Sequence, residues 1–257
     1  MRWRGECWAT DNAIMKRDGA HGVPNLGPED YSCWRASEIG AVTERLERQL
    51  ILELVGDVGG RNVLDVGCGD GELALELAKR GGIVTGIDAS AAMIATAKTR
   101  ATEHNADVTF RVATAEQLPF AAGQFHVVTA VTILCFVEDA RPVFREITRV
   151  LRPGGRLVIG ELGKWSTWAA ARRLRAWFGS RLWRQGHFRS ATELAVLAAQ
   201  AGLRVERIRG AIYYPRSPLA ARLLSPCDAV LGRLTTIGAG FVALAAVKAD
   251  CSEDLNI

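Results

Sequence analysis

The chain is poor in the residues that metal and redox sites require. It has four histidines, all dispersed, and no HExxH pair. None of its six cysteines stands in a C-x-x-C pair, and their spacings match no zinc site. No metal is therefore expected, and Cys7, Cys33, Cys68, Cys135, Cys227 and Cys251 read as scattered free thiols. No apolar run reaches the ~18–20 residues of a membrane span. The longest candidate, Ile237 to Val247, is nearer strand length. Met1 to Met15 carries Arg2, Arg4, Glu6 and Asp11 with no apolar core, so no signal peptide is read and a cytoplasmic location is expected. Internal repeats and low-complexity tracts are also absent.

What remains suits one large α/β core with a small cap: 257 residues, 49% hydrophobic and 23% charged. The net charge of +4 is unevenly spread. Up to Ala140 there are 13 Lys and Arg against 20 Asp and Glu; beyond it there are 19 against 8. A basic second half fits an anionic substrate or surface, or simply a solvated face. It contains no recognised nucleic-acid module, so nucleic acid is not an expected partner.

Residues 1–30 are polar, without clear period, and are expected to be loosely docked; Met15 offers a second start. Tyr31, Trp34 and Arg35 then cluster ahead of a helix that runs to about Val55, with Val42, Leu46, Leu50 and Leu54 as its apolar stripe. Strands and helices alternate from there. Strands are read at Asn62–Val66, Ile83–Ile87, Val108–Val112, His126–Val131 and Arg156–Ile159. Helices are read at Glu72–Arg80, Ala91–His104 and Arg141–Leu151, with Arg152–Gly155 as a turn. This alternation predicts a parallel sheet with right-handed crossovers. Leu162–Phe188 breaks the rhythm with an amphipathic helix whose face is Ala170, Leu174, Trp177 and Phe178. Ser190 and Glu193 have capping-box spacing. A strand at Leu203–Arg209, a helix at Ser217–Leu234 and a strand at Phe241–Lys248 complete the chain. The division read is an extension with a capping helix at 1–40 and one domain at 41–257, with helical insertions at about 162–189 and 213–237.

The most informative stretch is Val63-Leu64-Asp65-Val66-Gly67-Cys68-Gly69-Asp70-Gly71. A strand pattern ends in a glycine turn and a helix follows, so backbone can come close to a ligand. The spacing is G-x-G-x-G, not the G-x-G-x-x-G of dinucleotide sites. Asp70 and Glu72 stand where a pyrophosphate needs a clear helix N-terminus. They are expected to disfavour a diphosphate and to suit a cation, such as a sulfonium bearing an α-amino group. Asp88 ends the second strand, where a carboxylate can accept from both hydroxyls of a ribose.

With Val84–Ser90, Ala115–Phe120, Phe125–Val128 and Val150–Gly155 in order, the segment from Asn62 to Glu161 resembles class I S-adenosylmethionine-dependent methyltransferases. It is most similar to the small-molecule group typified by the menaquinone and ubiquinone C-methyltransferases. The resemblance implies a Rossmann-like, mostly parallel seven-stranded sheet, helices on both faces and an antiparallel last strand. It implies S-adenosyl-L-methionine as cofactor. Asp65 would orient the turn toward the amino acid end, with Gly67, Cys68 and Gly69 beside it. Asp88 would hold the ribose, next to Ala89 and Met93. Ala115 and Glu116 would flank the adenine, and Val131 would open the loop near the reactive methyl. The family often has Asp where Thr114 stands, and a polar residue within Thr132–Phe136.

No catalytic residue is assigned, because methyl transfer from a sulfonium mainly requires alignment. The expected reaction is in-line displacement onto a small acceptor, apolar or anionic. The resemblance puts acceptor contacts outside the matched core. Tyr31, Trp34 and Arg35 lie where related enzymes fold a helix over the site. Trp165, Trp168 and His187 lie in the usual cap position. Cys135, within the matched core after strand four, raises a separate possibility, chemistry on a thiol or soft metalloid. The Trp- and Arg-rich cap also has the character of an interfacial helix, so peripheral membrane contact is a candidate. The alternatives are a non-catalytic cofactor-binding regulator and an NAD-dependent oxidoreductase.

Overall fold

The computed structural model describes residues 27–177 and 186–249. Seven strands form one sheet: β1 (Asn62–Val66), β2 (Ile83–Asp88), β3 (Val108–Val112), β4 (Phe125–Val131), β5 (Leu151–Leu162), β6 (Leu203–Ala211) and β7 (Phe241–Lys248). Their order is β3-β2-β1-β4-β5-β7-β6. β1 to β5 pair in parallel, and β7 runs antiparallel to both neighbours. The expected Rossmann-like architecture is what forms.

Among the described residues eight α-helices surround the sheet: α1 (Pro28–Ala36), α2 (Glu38–Val55), α3 (Glu72–Lys79), α4 (Ala91–Glu103), α5 (Arg141–Val150), α6 (Thr167–Trp177), α7 (Ala191–Gln200) and α8 (Pro218–Leu234). The two-residue period of the strands sorts the core. Val63, Val127, Val158 and Ala243 meet α2, α3 and α4 on one face. Leu64, Val128, Leu157 and Leu244 meet α5 and α7 on the other. Being buried on both sides, the central strands read as apolar runs.

Local chemistry sets the boundaries. Ser37 ends α1 and starts α2, donating to the Trp34 carbonyl at 2.6 Å and accepting from Gly40 N at 3.1 Å. Ser190 and Glu193 form the capping box of α7. Three expectations need correction. Arg152–Gly155 is not a separate turn: β5 begins at Leu151, which pairs with Phe125, and residues 152–155 bulge before Arg156 pairs with Val127. On α6 the packed residues are Trp168 and Ala169, while Ala170, Leu174 and Trp177 are exposed; Phe178 lies outside the described residues. Cys68, Cys135 and Cys227 are free thiols, but Cys33 is disulfide-bonded. Among the described residues no helix is long and apolar enough to cross a membrane.

A buried side chain ties α8 to the end of β6. Asp228 is buried and accepts from Ile212 N and Tyr213 N, both at 2.9 Å. Asp228→Ala strands two backbone donors and is expected to lower unfolding free energy by roughly 2–4 kcal/mol. Urea denaturation reads this as a lower midpoint at unchanged slope; an unchanged midpoint contradicts it.

Candidate active site

β1 lies between β2 and β4, so the connections at its two sides diverge and leave a crevice at the carboxyl edge. The turn after β1 lines that crevice. Gly67, Gly69 and Gly71 have φ of 70°, 54° and 84°, a region that side chains disfavour. Gly67 is constrained twice, since a Cβ there would stand 2.0 Å from Ile133 Cγ2. A Cβ at Gly69 would meet nothing within 4 Å, so this part of the turn faces open space. Asp88 secures it: one carboxylate oxygen accepts from Gly69 N at 3.0 Å, the other from Ser90 N at 2.8 Å.

A cavity of about 180 Å³ opens here, walled by the turn, Asp65, Val131 and Thr132 on one side and by Tyr31, Trp34, Glu47 and Ile51 on the other. Asp65 is buried. Its Oδ1 accepts from Thr129 Oγ1 at 2.7 Å, while Oδ2 has no hydrogen-bond partner. Burial pushes this carboxyl up to about 7, against the Thr129 hydrogen bond. An orphaned acceptor beside a glycine turn is a fitting seat for an ammonium group.

The acidic turn is not a bare negative surface, which corrects the charge argument. Arg35 pairs with both Asp70 and Glu72; Arg48 reaches Glu72 at 2.7 Å; Arg100 reaches Asp70 at 3.0 Å. Glu44 joins through Arg48 at 3.3 Å. Three arginines thus balance three carboxylates, and Arg35 latches α1 over the turn. Tyr31 of α1 is half-buried, and its phenol is held far above the usual range by burial, then by Cys135, Asp88 and Asp70.

The loop after β4 completes the wall. Thr132 has φ of 53°, a strained value for a β-branched residue, and its N–H donates to Gly160 O at 2.7 Å. Buried Glu161 accepts from Leu134 N at 2.7 Å, and burial pushes it up to about 7. Arg189 donates to the carbonyls of Leu134 and Val137, and His187 N to Cys135 O at 2.9 Å. Cys135 points its thiol at Thr132 O, 3.2 Å away. Cys135 and His187 therefore shape the loop from behind and are not among the residues lining the cavity.

The other expected positions are not among the residues lining this cavity. Ala89, just before α4, is exposed, and Met93, in its first turn, is buried. Ala115 and Glu116 follow β3 in a stretch held by α5: Arg149 donates to Phe120 O at 2.7 Å and Leu118 O at 2.9 Å, and Glu146 accepts from Leu118 N at 2.8 Å. Trp168 is core, edge-on to Trp34 at 6.0 Å, with its N–H donated to Tyr214 O at 2.7 Å. Trp165 is exposed beside Lys164 and Arg173. A larger, open depression between α6 and α7, about 950 Å³, holds His187 but none of the glycine turn. Sequence reasoning missed Glu47, Glu161, Arg189 and the Glu146–Arg149 pair. Of these only Glu47 carried a signal: Glu44, Glu47 and Ile51 share one helical face beside the apolar stripe.

Comparison with known proteins agrees with this geometry. The family described as "Methyltransferase domain" matches residues 64–159. A ubiquinone biosynthesis O-methyltransferase of Bordetella avium is 35% identical over 176 residues, 66% of this chain and 73% of that protein. Among solved structures, a possible histamine N-methyltransferase of Thermotoga maritima aligns with a TM-score of 0.65 at 22% identity, covering 86% of this chain and 95% of that one. A geranyl diphosphate C-methyltransferase of Streptomyces coelicolor, solved with geranyl diphosphate and S-adenosyl-L-homocysteine, aligns with a TM-score of 0.62 at 22% identity, over 93% and 87%. These two structures speak to the fold.

The two glycines separate strain from crowding. Gly69→Ala is expected to cost only its left-handed backbone, about 1–2 kcal/mol. Gly67→Ala adds overpacking against Ile133 of roughly 1–3 kcal/mol. Thermal unfolding of the pair checks this; equal losses contradict the close approach.

Proposed function

The chain belongs to the S-adenosylmethionine-dependent methyltransferases, and from that premise we propose that it methylates a hydroxyl of a small acceptor with an apolar body. The observation that carries this reading is one cavity with two chemically different walls. Asp65 and the glycine turn stand on one side; Tyr31, Trp34, Ile51 and Glu47 stand on the other. The Bordetella relative is an O-methyltransferase by name, which supports oxygen as the target.

When bound, S-adenosylmethionine supplies a methyl group on a sulfonium whose leaving group is a neutral thioether. The chain's own residues supply the rest. Asp65 Oδ2 is the free acceptor for an ammonium. Gly67 and Gly69 let backbone approach. The Asp88 oxygens accept one backbone N–H each and keep lone pairs for ribose hydroxyls. Thr114, Ala115 and Glu116 stand on the adenine side.

Across the cavity, Tyr31, Trp34 and Ile51 offer an apolar, aromatic wall for an acceptor ring. Glu47 is half-buried, and burial pushes it up to about 8, opposed by Arg172. Such a carboxylate is well matched to removing a proton from a weakly acidic hydroxyl. α1 and its Arg35 latch cover the crevice, which excludes water and fixes the approach.

Two measurements test this reading. As a base, Glu47 acts when deprotonated, so kcat/KM with a hydroxylated aromatic acceptor is expected to rise with pH through about 8. Glu47→Gln is expected to lower kcat by roughly 10²–10⁴-fold and remove that inflection; an unchanged profile rejects the assignment. Asp65 has a raised folded value, so it is protonated below about 7 and ionises when an ammonium arrives. Calorimetric titration with S-adenosylmethionine in buffers of different ionisation enthalpy is expected to show proton release at acidic pH. Asp65→Asn should abolish that release and weaken binding; persistence of the release in this variant rejects the seat.

A further inference from the structure

α8 is built inside out. Its inward side carries Ala221, Asp228 and Gly232, all buried. Its outward side carries Leu219, Leu223, Val230 and Leu234, exposed by 68%, 67%, 61% and 77%. At 100° per residue these four lie within about 60° of one another, a stripe about 22 Å long. Ile237 extends it past the helix end, also 77% exposed.

This orientation is locked. Asp228 is bonded to the backbone of Ile212 and Tyr213. At Gly232 a Cβ would stand 2.0 Å from Gly210 O, so backbone meets backbone there. α8 cannot roll to hide its leucines without breaking both contacts. The segment just before α6 lies next to the end of this stripe: Gly238 N donates to Trp165 O at 3.0 Å, and Trp165, like Ile237, is exposed.

Charge narrows the occupant. From 211 to 240 the acidic residue is Asp228 alone, and it is buried. Arg222 and Arg233 are exposed and flank one side of the stripe, while Lys164 and Arg173 flank Trp165. A two-fold pairing of this face with a second copy brings arginines together with no carboxylate to answer them. Lys164 is answered by Glu193 at 2.5 Å, so the free basic character of the stripe lies in Arg222 and Arg233. A leucine stripe flanked by exposed arginines, with no exposed carboxylate on its own helix, is complementary to an anionic lipid surface.

We propose that α8, with Ile237 and Trp165, seats this protein on anionic bilayers, the helix lying in the headgroup plane. The contact centres on α8, whereas sequence alone pointed to the Trp- and Arg-rich segment. It is independent of the acceptor reading.

The test is sedimentation of the full chain with vesicles of phosphatidylcholine alone and with added phosphatidylglycerol. Binding is expected to the anionic vesicles and to fall with salt. The double variant Leu223→Asp/Leu234→Asp should lose roughly tenfold or more in partitioning. Arg222→Glu/Arg233→Glu should fall to the level seen with neutral lipid. Calorimetric binding of S-adenosylhomocysteine should be unchanged in both variants, which separates this surface from the cavity. Failure of the wild-type chain to sediment with anionic vesicles overturns the proposal, as does binding that neither variant reduces. A dimer that ignores vesicles and is split by Leu223→Asp/Leu234→Asp assigns the face to a second copy and overturns it too.

Discussion

The carboxyl end of β1 has no room for a side chain at Gly67, and the cavity is arranged around that constraint. Ile133 occupies the space a Cβ would need. Two loops from adjacent strands thereby interlock, one carrying the glycine turn and the other Thr132–Val137. The second loop is strained at Thr132 and is held by buried Glu161 and by Arg189. Asp65 lies beneath the interlock, where water is excluded and its carboxyl is lifted. Burying a carboxylate with one oxygen unanswered costs stability, so its placement makes physical sense as a seat awaiting a cation.

Electrostatics around the turn work differently from a simple count of its acids. Asp70 and Glu72 suggested a negative mouth. Folding brings Arg35, Arg48 and Arg100 from three helices onto them. The carboxylates then serve as a docking plate for α1, and in the proposed reading it is Asp65 that answers the cation. The preference for a sulfonium cofactor was read correctly, but through the wrong residues.

Much of the frame was legible because it rests on local rules. Alternating strand and helix periods marked all seven strands, and Ser190 with Glu193 marked a helix start. The glycine turn and Asp88 were readable because their spacing follows from backbone geometry. What was not legible depended on long-range contacts. Trp168 looked like a cap residue, yet it packs between Trp34 and Tyr214. The apolar face of α6 looked like a packing face, yet Leu174 and Trp177 are exposed. Glu161 and Arg189 serve backbone groups, a role that leaves no periodic trace in sequence. Glu47 shares a helical face with Ile51, but only the fold shows that this face borders the cavity.

The strand order has a consequence for how such a chain can change. The groups proposed to face the cofactor sit at the ends of β1, β2 and β4, within one continuous sheet. The opposing wall comes from α1 and α2, which precede the first strand. The two sets share a cavity but no segment. Drift at Tyr31, Trp34 or Glu47 therefore leaves the strand ends untouched. If that wall seats the acceptor as proposed, a lineage can try new acceptors in this short upstream stretch without passing through an intermediate that has lost its methyl donor.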